Sequence, residues 1–391
     1  MSNEAEMNKA NPSGSSFLSE LRIRLGTVIW FVLGLGFLLS LPILFDWASW
    51  VFWLILVIAA ALALPIAWIK RAVFDRGRQR PFARHWIHSG VALLFILCIV
   101  VAAPIYYLAT VTEIRPVVFP QATLTNGQKT VVFQGMQHFG SENFYKSVIY
   151  DLEKALADGY VIYYEAVQTS TPESKAFFEK LSGTLTGSSD LAGTYKAMGE
   201  ACGLKFQSDY FTLLEADKQE HPERHVIADV DAIELKQEYE RLLRTDPEFA
   251  KAHANDFKES PEGDSSGSMA QAIEWLKSGS EGQKKLAGVV CRGIMTLAFA
   301  PKENEEPGPF DPLIIDFRNR ALAKRILEDS HDKIFITYGA RHLPGVLELL
   351  KQQDPNWKVA TVKWMRTIEA PKRSLEGKLA VHDSDRATTT Q

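Results

Sequence analysis

The hydrophobic pattern of this chain changes character partway along. Near the N-terminus the apolar positions run unbroken, and the stretches 26–45, 51–69 and 90–108 contain no charged residue. Each is close to the ~20 residues that cross a hydrocarbon layer, so three membrane-spanning helices are predicted. A helix on a globular core would carry a polar stripe, and these carry none. A cleaved signal peptide would show a single apolar run of only ~7–15 residues. Trp30, Trp47, Trp50, Trp53 and Trp68 lie near the predicted span ends, as in an interfacial aromatic belt. The glycine pair Gly34 and Gly36 lies inside the first span, without the strand–turn–helix context of a phosphate loop.

Beyond the spans the apolar positions become short and periodic. Residues 130–134 (TVVFQ) read as a strand that meets Gly135-Met136-Gln137-His138. Phe144, Val148, Leu152 and Leu156 then recur at helical spacing, and 161–164 (VIYY) read as a second strand closed by Glu165. The C-terminal part repeats the plan. Strand 333–338 (KIFITY) meets Gly339-Ala340-Arg341-His342, Leu343, Val346, Leu347 and Leu350 share a helix face, and 357–362 (WKVATV) read as a strand. Each half is strand, GxxH turn, helix, strand, a βαβ unit with parallel strands and a right-handed crossover. Between the halves the pattern is mostly helical, for example over 231–244 and 283–300.

The expected fold class is therefore α/β. A three-helix transmembrane anchor (17–110) precedes a soluble domain (129–368) of two βαβ-like pseudo-repeats with a helical insertion. A linker is expected over 111–128, where Pro116 and Pro120 fall, and an exposed loop over 259–268. Polar tails at 1–16 and 369–391 are expected to be disordered.

Charge adds an orientation. The net charge of −4, without a basic stripe, excludes a nucleic-acid binder. Locally, Lys70, Arg71, Arg76, Arg78, Arg80 and Arg84 fill the link between spans two and three, whereas the link between spans one and two holds only Asp46. The positive-inside rule puts the basic link, and the N-terminus with Arg22 and Arg24, in the cytoplasm. Everything after the third span is then expected outside it, in a multi-pass protein of the cell (inner) membrane. Cys98 falls in the third span. Cys202 and Cys291 fall in the outer domain, where either a disulfide or two separate buried thiols suits the environment.

Ligands of open α/β sheets bind at the carboxyl ends of the strands. Both GxxH elements belong there, with Gly135 and Gly339 serving as backbone turns. His138 and His342 occupy matching places in the two units, and Glu165 ends a strand on the same rim. Two histidines and a carboxylate suit a divalent metal with open positions for water. Arg318, Asn319 and Arg320 precede a helix near the same rim, where an arginine clamps a carboxylate or stabilises an oxyanion. His221, His225, Asp229 and Asp231 cluster in HPERHVIADVD, either as further ligands or as a polar loop leading into a helix.

The segments FQGMQHFG, VIYYEAVQ, DFRNRALAKRI and ITYGARHLPGVLELL together resemble the TraB/PrgY/TIKI superfamily, also called EreA/ChaN-like, over about 131–362. The family's marks match as Gly135 and His138, Glu165, Arg318 and Asn319, and Gly339 and His342. Arg341 departs from the small residue common at its place, which bears on the mouth of the site. The resemblance implies a metal-dependent hydrolase, in the manner of the membrane-tethered TIKI proteases. It would act on extracytoplasmic peptides or proteins, with a divalent metal (Mn, Co or Zn) on His138, His342 and Glu165. Glu165 would act as metal ligand or as general base, Arg318 and Asn319 would support catalysis, and the expected partners are the lipid bilayer and the substrate. The alternative is a non-catalytic module that sequesters a peptide, metal or haem at the same rim. A scaffold for a partner membrane protein is a third reading. The absence of ionisable residues within the spans argues against a transporter.

Overall fold

A computed structural model describes residues 13–74, 81–186, 188, 190–254, 256, 278–299 and 307–371. The basic residues Arg76, Arg78 and Arg80, the expected loop 259–268 and most of both expected tails lie outside the described residues. The chain divides into two compact units, one of residues 1–107 with 280–286 and one of 108–279 with 287–391.

The smaller unit is built on α1 (Ser13–Trp47), α2 (Ser49–Phe74) and the greater part of α3 (Phe82–Ile114). All three helices are long and apolar enough to cross a membrane. They contain the expected spans and extend beyond them. Many of the residues buried where the helices meet are small (Ser40, Ala59, Ala63, Ala67, Ser89, Cys98 and Ala102), beside the larger Ile43, Leu44 and Ile55. Small side chains allow the close backbone approach on which helix association in lipid depends. Large apolar groups such as Phe31, Leu38, Val57 and Trp68 point outward, the reverse of a water-soluble bundle. Pro42, Pro65 and Pro104 sit inside the helices, as membrane helices tolerate.

The larger unit is an α/β domain. Its strands are β1 (Val118–Thr125), β2 (Thr130–Met136), β3 (Phe139–Gly140), β4 (Val161–Tyr164), β5 (Lys205–Phe206), β6 (His225–Ile227), β7 (Lys333–Gly339) and β8 (Lys358–Arg366). Among the described residues, six of them form one mixed sheet in the order β6–β4–β7–β2–β1–β8, and β3 pairs with β5 apart from it. β2, β4 and β6 run parallel with β7 and its neighbours, while β1 is antiparallel to both β2 and β8. The expected linker 111–128 is corrected here. It holds the end of α3 and all of β1, because Pro120 has its place in a strand while Ala122 and Leu124 alternate inward.

Helices cover both faces of the sheet. On one lies α4 (Glu142–Ala157), whose N-cap Ser141 accepts the Phe144 N–H and whose Phe144, Val148, Leu152 and Leu156 are buried. On the other lie α9 (Arg318–Glu328) and α10 (His342–Gln353), which pack Leu322, Ile326, Val346 and Leu350 against Phe133, Ile334 and Ile336. β7 reads as a continuous β-branched and aromatic run because it is covered on both faces. The insertion adds α5 (Pro172–Thr186), α6 (Leu191–Ala201), α7 (Ala232–Thr245) and α8 (Glu281–Ala298). Cys202, which caps α6, is disulfide-bonded to Cys291 of α8, 89 residues away.

Candidate functional site

The carboxyl ends of β2, β4 and β7 bring the sequence-marked residues to one rim. Parallel pairing sets Gly135 opposite Tyr338 and Met136 opposite Gly339, so the two GxxH turns lie side by side. The Ala340 N–H donates to the Met136 carbonyl across the join. A Cβ on Gly135 would stand 3.0 Å from both the Ala340 Cβ and the Pro120 carbonyl oxygen. Both glycines therefore serve close approach. Gly135 lies within β2 and Gly339 ends β7, and among the described residues the left-handed glycines are Gly127, Gly159 and Gly203, none of them in a GxxH element.

Glu165, one residue past β4, lies at the centre. Its Oε1 accepts from Arg318 Nη2 at 2.7 Å, and its Oε2 accepts from the Gly339 N–H at 2.5 Å. Burial alone would raise its pKa, but Arg318, then His342 and His138, hold it below the ordinary carboxylate range. Arg318 opens α9 directly after a π-helical turn, Pro312–Phe317, an irregularity that recurs at functional sites. Its guanidinium also binds Asp229, through Nε at 2.9 Å and Nη2 at 2.5 Å. Tyr338 donates to the same carboxylate at 2.7 Å. Arg318 is buried and committed to two carboxylates, so its geometry suits holding Glu165 rather than clamping a substrate. Burial opposes its charge, but Glu165 and Asp229 outweigh that and raise its pKa.

His342 opens α10. Its Nδ1 faces Asn319 Oδ1 at 2.8 Å, which makes Nδ1 the protonated nitrogen and leaves Nε2 an acceptor, 4.0 Å from Glu165 Oε1. Gly345 makes room for the Asn319 amide, because a Cβ there would overlap its Nδ2. Burial and then Arg318 lower the His342 pKa to about 4, against the pull of Glu165. The imidazole is neutral at pH 7.

His138 is held differently. Its ring stacks on Tyr195 of α6 with centroids 4.2 Å apart and planes 11° apart. Gln207 binds it twice, its backbone N–H donating to the His138 carbonyl and its side-chain Nε2 lying 3.2 Å from Nδ1. An amide donor on Nδ1 puts the proton of the neutral ring on Nε2, the opposite tautomer to His342. Burial lowers its pKa, with Glu165 acting against this and Arg318 with it.

The other expected residues fall elsewhere. His225 is buried between Asp217 and the Tyr164 hydroxyl, Asp231 caps α7, and Arg320 pairs with Glu238. Arg341 is exposed and bound to Asp311. Asp229 alone of its cluster reaches the site. The periodicity did not mark Tyr195, Gln207, Tyr338 or Gly345 as parts of the site. Tyr338 was legible as the last residue before a GxxH turn, and Gly345 as the second glycine of GARHLPG.

The expected divalent metal fits this arrangement poorly. Among the described residues no group of three or more His, Cys, Asp or Glu is placed to hold an ion. Both Glu165 oxygens already accept from donors, and one of these donors is the Arg318 cation. No family model, curated protein or solved structure matches the chain.

Proposed function

We propose that the chain is a membrane-tethered hydrolase whose larger unit faces away from the cytoplasm and cleaves peptide bonds at this rim. One observation carries the reading: two buried imidazoles, whose Nδ1 atoms face an amide oxygen of Asn319 and an amide nitrogen of Gln207 and so favour opposite tautomers, flank an ionised, buttressed glutamate. Such a pair supplies a general base and a hydrogen-bond donor at once. A water at His342 Nε2 gives up its proton there as its oxygen bonds the peptide carbonyl carbon. Glu165 stabilises the imidazolium so formed. The C–N bond breaks as the His342 imidazolium passes that proton to the departing nitrogen, while the His138 Nε2–H donates a hydrogen bond to the oxyanion, so both rings end the cycle neutral. The two β–turn–α–β halves, treated as pseudo-repeats, account for the matched histidines.

Two observations support the outward orientation. The basic residues gather on the link after the second span, and the Cys202–Cys291 disulfide suits an oxidising compartment. A reporter fused after Gln391 is expected to read as extracytoplasmic, and a cytoplasmic signal would remove the secreted-substrate reading. For the chemistry, the full chain in nanodiscs is incubated with a peptide library and new termini are read by mass spectrometry. Cleavage by the native chain, lost in both His138→Ala and His342→Ala, is the expected result. Peptides bound but uncut would favour a binding module at the same rim.

A further inference from the structure

Between α1 and α3 the smaller unit has a groove of about 730 Å³, lined by Trp30 of α1 and Arg84, Ile87, His88 and Val91 of α3. The four α3 positions follow i, i+3, i+4, i+7 and so share one helix face. Polarity is graded along that face. Arg84 and His88 precede the charge-free stretch 90–108, at the level where the chain enters hydrocarbon, and Val91 lies within it. Trp30 stands at the same level on the other wall, its ring 4.8 Å from that of His88.

The neighbouring polar groups differ in how they are used. Lys70 donates to Ser89, and Arg24 pairs with Glu20. Arg84 has no side-chain ion pair among the described residues and stands exposed at the groove's polar end. An uncompensated cation, a ring N–H donor and an indole above an apolar channel match a phospholipid: phosphate, then glycerol, then acyl chain.

We propose that this groove is a binding site for a phospholipid with an anionic headgroup. Arg84 and His88 donate to the phosphate, the Trp30 ring packs at the glycerol level, and Ile87 and Val91 line the acyl chain. The site is independent of the hydrolase reading.

The full chain in detergent micelles is titrated with phosphatidylglycerol, phosphatidylcholine and inorganic phosphate, with retained lipid read by native mass spectrometry and thermal unfolding in parallel. Phosphatidylglycerol is expected to bind about fivefold or more tightly than phosphatidylcholine, the effect of one cation near an anionic headgroup. Inorganic phosphate is expected to leave the unfolding temperature unchanged. Arg84→Gln is expected to abolish the preference, Arg84→Lys to retain most of it, and Arg71→Gln to leave it intact. Should Arg84→Gln fail to fold, His88→Gln tests the same headgroup contact and is expected to weaken the preference. Equal binding of the two lipids, a preference that survives both Arg84→Gln and His88→Gln, or displacement of the lipid by inorganic phosphate would each overturn the assignment.

Discussion

The two GxxH turns sit side by side on adjacent strands, yet they are held by different means. The second is built into the sheet's centre. His342 is bound by Asn319, whose amide packs against Gly345, above a frame of Glu165, Arg318, Asp229 and Tyr338. The first leans on the insertion. His138 rests on Tyr195 of α6 and on Gln207, and the end of α6 is tied to α8 by the disulfide. One histidine is thus fixed by buried charge and the other by a covalently strapped arm. Two matching turns can share a rim without sharing the forces that maintain them.

The sharpest way to break the contrast is Arg318→Met. It leaves Glu165 and Asp229 facing each other without their cation. A loss of about 3–5 kcal/mol is expected in denaturant unfolding of the larger unit, with the second turn disordered first. Removing the strap with Cys202→Ser and Cys291→Ser is expected to cost about 2–4 kcal/mol. It should shift the His138 ring resonances while leaving those of His342 in place. Gly345→Ala, by contrast, drives a methyl into Asn319 Nδ2. About 1–3 kcal/mol of destabilisation is expected, with the effect reversed in location: His342 moves and His138 does not.

Acid should separate the turns least, because every group in the site responds in the same direction. His342 has a folded pKa of about 4, below its ordinary 6.5, so the unfolded chain binds more protons between these values. Stability therefore falls as pH drops from about 6.5 to about 4. His138 is lowered too and adds to this loss, and Glu165 begins to lose its ion pair as pH falls below its ordinary 4.5. A set of thermal scans across that window checks the sign, and stability that is flat or rises on acidification contradicts it.

Much of this architecture was legible in the chain. Unbroken apolar runs mark the helices because lipid rewards uniform faces. The echo of strand, turn and helix marks β2 with α4 and β7 with α10 because buried parallel strands need continuous apolar sequence. Glu165, Arg318, Asn319 and both histidines were visible from their places after strands or before helices. What stayed hidden depends on tertiary approach. Asp229 looked like one more acid in a polar loop, and only the fold brings it 2.5 Å from Arg318 Nη2. β1 was obscured by its prolines, one of which an antiparallel strand accommodates. The metal expectation followed from residue types. It did not anticipate that each glutamate oxygen would already accept a hydrogen bond, one from a guanidinium and one from a backbone N–H.

The central claim is that the two imidazoles are neutral and in opposite tautomers beside an ionised Glu165. The direct test is ¹⁵N NMR of the histidine-labelled full chain in nanodiscs at pH 7, with the two rings assigned through His138→Gln and His342→Gln. The account predicts a protonated Nδ1 and bare Nε2 on His342, and a bare Nδ1 and protonated Nε2 on His138. Two rings in the same tautomer, or either ring doubly protonated at that pH, would contradict it.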